Sequence, residues 1–299
     1  MDYMLSTADK KEFVAEFRDR LEKGVDLPPL PEVAQRLLLL RNQSEPSIAR
    51  LTEIINKDPG LATQVVHYAR LSKFGYGERI KTVDDAVMLV LGYNKALHMA
   101  TGLSAGRALQ MPTEGPLGRP FYWDHSLHSA ILTQSLSKEL PEDVEIDPGM
   151  SYLAGLTHDI GYLLLGHLYP IEFNMLNQLM ERYDGGEKRE LEFQCLGISH
   201  DMIGLCLMKS WGMPEEIIVA VGEHHFPDYG GKCAVYSKLV FLANQLTEAD
   251  KRGCADRGEM SRFAEMTGLN LSEQQIERAM NNVRELSPEV SLMAVGIAA

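Results

Sequence analysis

The stretch Ser151-Tyr-Leu-Ala-Gly-Leu-Thr-His-Asp-Ile-Gly161 carries an apolar helical pattern into an adjacent imidazole and carboxylate, with a glycine two residues on. His158 and Asp159 can both bind a metal, and both are costly to bury without a partner. The hydrophobic residues around them place the pair near a helix end that faces the interior. A His-Asp pair alone also reads as a capping or surface feature, so the remaining histidines decide its meaning.

The chain has nine histidines. His125 and His128 lie in Trp123-Asp-His-Ser-Leu-His-Ser-Ala, His200 in Ile198-Ser-His-Asp-Met-Ile-Gly, and His224 and His225 in Val221-Gly-Glu-His-His-Phe. Each group sits in a helix-like apolar pattern. Enough chain for one or two helices separates each from the next. Helical bundles build metal sites in this way, with ligands from several helices converging inside. The metal candidates are therefore His125, His158, Asp159, His200, His224 and His225. The structural alternative is an internal polar network, with Asp159 paired to a histidine by a charge-assisted hydrogen bond. Successive residues on a helix point about 100° apart, so at most one of His224 and His225 is expected to reach a given ion. His128, one turn after His125, reads as a packed helix histidine that could line the pocket. His67, His98 and His167 read as ordinary helix residues. Glu192 and Glu223 could offer carboxylates, but their helical positions read as solvated or salt-bridged.

The order His…His-Asp…His…His-His resembles the HD superfamily of metal-dependent phosphohydrolases. Leu27-Pro-Pro-Leu-Pro-Glu-Val33, Ile54-Ile-Asn-Lys-Asp-Pro-Gly-Leu-Ala62, Thr82-Val-Asp-Asp-Ala-Val-Met-Leu-Val-Leu-Gly92 and Trp211-Gly-Met-Pro-Glu-Glu-Ile217 narrow it. Together they resemble the HDOD domain, an HD-related output module of bacterial signalling proteins, over roughly residues 25 to 250. The resemblance implies a first ion on His125, His158 and Asp159 and a second on His200, His224 and His225. It leaves the ion open among iron, manganese, zinc and nickel, mononuclear or dinuclear. HD enzymes close their metal site with a late aspartate, but Leu239-Val-Phe-Leu-Ala-Asn-Gln-Leu246 carries Asn244 there. A neutral amide is a weaker ligand than a carboxylate, so Asn244 argues against a full-strength catalytic centre. The chain also reads Phe226-Pro-Asp-Tyr-Gly-Gly after the paired histidines, without the Gly-Tyr-Pro signature of relatives that hydrolyse cyclic di-GMP.

Hydrophobic residues make up 45% of the 299, enough for a substantial core. The net charge of −13, with no Lys/Arg cluster, points away from direct nucleic-acid binding. No apolar run is long enough to span a membrane, and the N-terminus lacks a secretory pattern. The expected compartment is the cytoplasm, where Cys195, Cys206, Cys233 and Cys254 stay as thiols. Cys195 and Cys206 flank His200, but they read as packed thiols rather than soft ligands.

Periodicity and caps predict an all-α fold, a two-lobed helical bundle with an HD-like second lobe. Residues 1–24 are expected to hold a lead-in helix over 8–23, with Phe13, Val14, Phe17 and Leu21 on one face and Gly24 as its stop. Residues 25–110 form a five-helix lobe, with caps at Ser47, Asp58 and Thr82 or Asp84. Residues 111–120, rich in proline and glycine, form a linker. Residues 121–250 form the second lobe, with helices near 121–139, 149–158, 160–168, 170–183, 188–210, 214–224 and 231–249. Residues 251–299 form a helical extension over 259–287, with a capping box at Ser272-Glu-Gln-Gln275. Gly185-Gly186 and Gly230-Gly231 are turn glycines, not phosphate loops.

Three functions compete. A signal-transduction module would sense a metal, a small phosphorylated ligand or a partner signalling protein through a degenerate HD site. A working metal-dependent phosphohydrolase would act on nucleotide or cyclic-dinucleotide phosphoesters. A scaffold would keep the histidines as relics. Asn244 and the resemblance favour the first.

Overall fold

The computed structural model describes residues 5–23, 27–43, 45–182 and 188–299. Among them every regular element is helical, as the periodicity predicts. Gly24, Gly185-Gly186 and the side chain of Leu21 lie outside the described residues. No described helix is long and apolar enough to cross a membrane.

Helix α1 (Thr7–Lys23) leads into α2 (Glu32–Arg41), α3 (Ile48–Asn56), α4 (Pro59–Ala69) and the short α5 (Val83–Ala86). The chain then widens into a single wider turn over Val87–Leu91 before α6 (Gly92–Arg107). The cap residues act as their chemistry requires. Ser47 and Asp58 accept from the backbone N–H of Arg50 and Leu61, and Thr82 forms a reciprocal capping box with Asp85. Gly92 takes φ of 71°, which suits glycine and separates the two helical runs.

Helix α6 is the shared wall between the two halves. Every residue from Ala96 to Gly106 is buried. A Cβ on Gly102 would come within 2.8 Å of Leu153 and Leu156 side chains, and one on Gly106 within 2.6 Å of Trp123. One continuous hydrophobic core runs through both halves. Of the segment expected as a linker, residues 111–118 form a packed loop and residues 119–120 begin the next helix. Asn177 accepts from the Leu117 N–H at 2.8 Å and donates to the Glu114 carbonyl at 2.6 Å. Arg41 and Glu216 add an ion pair between the halves at 2.8 Å.

The second half comprises α7 (Arg119–Ser137), α8 (Pro148–Thr157), α9 (Ile160–Leu168), α10 (Pro170–Met180), α11 (Lys188–Leu196), α12 (His200–Ser210), α13 (Glu215–Glu223) and α14 (Ala234–Lys251). The stretch expected as one helix over 188–210 is two, because Gly197 takes φ of 79° and turns the chain back. The expected extension is also two helices, α15 (Arg257–Thr267) and α16 (Glu273–Ala298), separated by Gly268 at φ 64°. Ser272 and Gln275 form the expected capping box. Helix α16 runs antiparallel along α7. Arg278 meets Glu139, Asn282 meets Ser135, and Ser291 meets Asp124.

Helix α1 docks on the second half rather than on the lobe that follows it in sequence. Phe13 and Phe17 set their rings edge-on to Tyr169, with centroids 4.9 and 6.2 Å away. Phe17 is 1% exposed. Phe17→Ala is therefore expected to destabilise the protein by about 3–5 kcal/mol, measured as a lower urea midpoint. An unchanged midpoint would mean that α1 is not docked in solution.

Candidate metal centre

Two backbone crossings flank His158 and Asp159. Three residues before His158, Gly155 packs α8 onto α7, where a Cβ would meet the Ser129 carbonyl at 2.7 Å. Two residues after Asp159, Gly161 packs α9 onto α12, where a Cβ would meet the His200 carbonyl at 1.9 Å. These approaches bring α7, α9 and α12 close enough for their side chains to share one interior point. His158 ends α8, and Asp159 opens α9 with an unused side chain that turns inward.

The six sequence candidates come together there. His125 Nε2 lies 3.3 Å from His158 Nε2. His200 Nε2 lies 3.3 Å from His224 Nε2 and 3.0 Å from His225 Nε2. Asp159 stands between the sets. Its Oδ2 is 3.5 Å from His125 Nε2, while its Oδ1 is 3.4 Å from His158, 3.2 Å from His200 and 3.6 Å from His224. Two groups of potential ligand atoms follow, His125–His158–Asp159 and His200–His224–His225.

Both His224 and His225 reach His200 from the turn that follows the end of α13 at Glu223. Glu192, expected to be solvated or salt-bridged, is not solvated. It is 1% exposed and accepts from the His200 N–H at 2.7 Å and from His200 Nδ1 at 2.8 Å. The break at Gly197 folds α11 back to make this possible. Tyr162, which the sequence reading missed, donates to Glu192 and stacks on the His200 ring at 4.3 Å. Its position four residues after His158 on an apolar helix was the one available signal. Glu248, also missed, lies 3.5 Å from His125 Nδ1, one turn beyond the half-buried Asn244 on α14. His128 points away from the cluster toward Ser287.

The outer nitrogens of three rings are occupied. His158 Nδ1 donates to the Gly155 carbonyl, His224 Nδ1 to the Val221 carbonyl, and His200 Nδ1 to Glu192. This turns each Nε2 inward, the arrangement that orients imidazole ligands in metal sites. Ligand nitrogens held at about 2.0–2.1 Å from one ion lie about 2.9–3.4 Å apart at ordinary coordination angles. The observed nitrogen separations fall in that interval, so the donors fit a divalent transition metal. The further group Glu192–His200–Asp201 is better read as an orienting shell, because Glu192 already holds His200 Nδ1 and Arg189 holds Asp201 at 3.1 Å.

Without metal, charge is distributed by burial and by Asp159. Burial pulls the His158 imidazole down to about 4, against the opposing effect of Asp159. Burial likewise holds His125 and His225 well below the ordinary value. Burial also disfavours charge on His200, but the Glu192 and Asp159 carboxylates outweigh it and push His200 up to about 10. Burial would raise Asp159, yet His158, His200 and His224 together hold it well below the usual carboxylate range. A proton on His200 thus sits between the Glu192 and Asp159 carboxylates and offsets part of their charge.

The profile of the HDOD domain matches residues 27–227, which include all six candidates but not Asn244. A protein of Marinobacter aquaeolei VT8, provisionally named a signal transduction protein, superposes with a TM-score of 0.80 at 30% identity, covering 98% of this chain and 66% of its own. An HDOD domain protein of unknown function from Geobacter sulfurreducens gives 0.72 at 20% identity, with 95% of this chain and 99% of its own covered. A protein of Shewanella amazonensis SB2B, provisionally named a metal-dependent phosphohydrolase, gives 0.69 at 19%, with 95% and 100% covered. The last two share the fold. An uncharacterised protein of Treponema pallidum (strain Nichols) is 23% identical over 211 residues, which are 71% of this chain and 39% of that relative. The chain thus spans about two-fifths of the Treponema protein's length and 66% of the Marinobacter protein's.

His200 is raised in the folded state, so its stabilisation is complete below about pH 6.5 and is lost as pH rises toward 10. His158 is depressed, so its contribution is lost as pH falls from about 6.5 toward 4. Lys95, pulled down to about 7 by burial, slopes the opposite way to His200 at alkaline pH. The quantity to measure is therefore the difference in urea stability between metal-free parent and His200→Gln. It should shrink from pH 6.5 to 10, and a flat difference would contradict a charged His200. Gly161→Ala should cost about 3 kcal/mol, the upper end for overpacking, because backbone rather than a flexible side chain blocks the new methyl. A variant of parental stability would show that α9 and α12 are not in contact.

Proposed function

Because the chain belongs to the HDOD domain family, we propose that it is a regulatory signal-transduction module whose buried His–Asp cluster holds one or two divalent transition-metal ions and whose output is a binding event. The observation that supports a metal is the inward orientation of the Nε2 atoms around Asp159, with His158, His200 and His224 anchored by Nδ1. The ion is iron, manganese, zinc or nickel, the set that imidazole and carboxylate donors accommodate. When bound it would supply Lewis-acid polarisation of a coordinated ligand.

The chain's own groups do the rest. Asp159 presents one oxygen to His125 and the other to His200 and His224, so it couples the two halves of the cluster. Glu192 fixes the ring and the backbone of His200 together. Lys188 pairs with Glu248 at 3.3 Å and places a cation beside the His125 side of the cluster, where a small phosphorylated ligand would be attracted. Partner signalling proteins would read the resulting change. Asn244 favours regulation over turnover, since it removes a negative charge that HD hydrolases use.

The second reading is an active phosphohydrolase on nucleotide or cyclic-dinucleotide phosphoesters. The convergence of all six donors favours it. Elemental analysis of protein purified anaerobically without chelators, beside His158→Ala, separates the outcomes. The expected result is near-stoichiometric metal that disappears in His158→Ala. No hydrolysis of bis(p-nitrophenyl) phosphate or cyclic dinucleotides is expected, and Asn244→Asp should bind metal more tightly. Metal-dependent turnover lost in His158→Ala would establish the second reading instead. Absence of metal even after reconstitution would reduce the cluster to an internal polar network.

A further inference from the structure

Helix α1 lies before residues 27–227, the part of the chain that the family profile matches, yet it packs on elements that carry the metal cluster. Its apolar face grips Tyr169, the residue between α9 and α10, through the edge-on rings of Phe13 and Phe17. The Arg20 guanidinium sits 5.2 Å from the centre of the same ring. Helix α9 opens at Asp159, so α1 holds the far end of the helix that presents the central carboxylate.

The same segment finishes α11. A helix leaves the carbonyls of its last turn without intrahelical donors. In α11 the Gly197 N–H donates to the Phe193 carbonyl at 3.0 Å, Lys10 Nζ donates to the Gln194 carbonyl, and the Leu5 N–H donates to the Cys195 carbonyl at 3.4 Å. A Cβ on Gly197 would lie 3.4 Å from Val14, so the turn after α11 packs directly on α1. Glu192 stands two residues before Gln194 and holds both the N–H and Nδ1 of His200. With nine residues, α11 is too short to persist without packing, and it packs against α10 and α1.

Release of α1 would strip two of these donors from α11, loosen its last turn and let Glu192 leave His200. The ring would then lose the contact that turns its Nε2 inward. We propose that α1 is a strap that holds Glu192 on His200 and so sets how tightly the cluster keeps its ion, a role that rests on the metal-centre reading and adds its regulation. The coupling is reciprocal: if docked α1 tightens metal binding, bound metal tightens the docking of α1 by the same factor. The outer face of α1, with Lys11, Ala15, Arg18 and Asp19, stays exposed. A partner that took up the Phe13–Phe17 face would therefore weaken the hold on the metal.

The test is hydrogen exchange read by mass spectrometry on the full chain, metal-free and loaded with manganese or zinc, beside chelator competition for the ion. Metal should slow exchange across α1 as well as across residues 188–200, while α2 to α4 stay unchanged. Phe13→Ala should speed exchange in 188–200, leave α6 and α8 protected, and weaken metal binding about tenfold or more, the usual effect of losing a group that orients a ligand. Lys10→Met removes only the donor to Gln194 and should weaken binding in the same direction, and Lys10→Arg should restore it. A helix that merely adds stability would show neither the response to metal nor that rescue. Tight metal binding that leaves α1 exchange unchanged, with equal affinity in Phe13→Ala, overturns the strap and leaves the metal centre standing. No metal in the parent overturns control of an ion together with the metal-centre reading. Exchange in metal-free Phe13→Ala then decides the hold on Glu192 alone: faster exchange of 188–200 upholds it, and unchanged exchange overturns it.

Discussion

A carboxylate buried among imidazoles is the constraint on which this protein is organised. Asp159 cannot stay charged in the interior without partners, and it finds them on four helices or helix ends at once. Its two oxygens face His125 on one side and His158, His200 and His224 on the other. Three of those rings, His158, His200 and His224, are themselves buried, and in each the far nitrogen is held by a carbonyl or by Glu192. Removing the central charge would leave buried imidazoles facing one another with no anion between them.

Such a cluster requires a rigid frame. Ridge-and-groove packing at ordinary interhelical distances would keep the ligand-bearing helices further apart than at the Gly155 and Gly161 crossings. The two glycines therefore act through distance, and they bracket the His-Asp pair for that reason. Helix α6 closes the frame from the other half of the molecule, and the shared core makes the two halves one mechanical unit.

Much of this was legible along the chain. The all-α class, the caps at Ser47, Asp58, Thr82 and Ser272, and the six converging residues all follow from local pattern or from the resemblance. What was not legible turned on helix breaks and on reach. The turn at Gly197 split a helix and delivered Glu192 to His200, and the end of α13 at Glu223 freed His225 to join His224. Glu192 and Glu248 gave no pattern that separates a glutamate orienting a histidine from one facing solvent. The docking of α1 on α11 joins residues far apart in the chain, so no local window contains it.

The sequence by itself determined which segments are helical, where they are capped, and which residue types could bind a metal. Helical periodicity and capping are read within a few residues, so they survive in one dimension. Only the tertiary structure decided which of those side chains meet, which nitrogen of each histidine points inward, and which carboxylate is buried. Those outcomes depend on where helices cross, and crossings are set by contacts between residues far apart in the chain, such as Gly161 with His200 and Ser287 with His128.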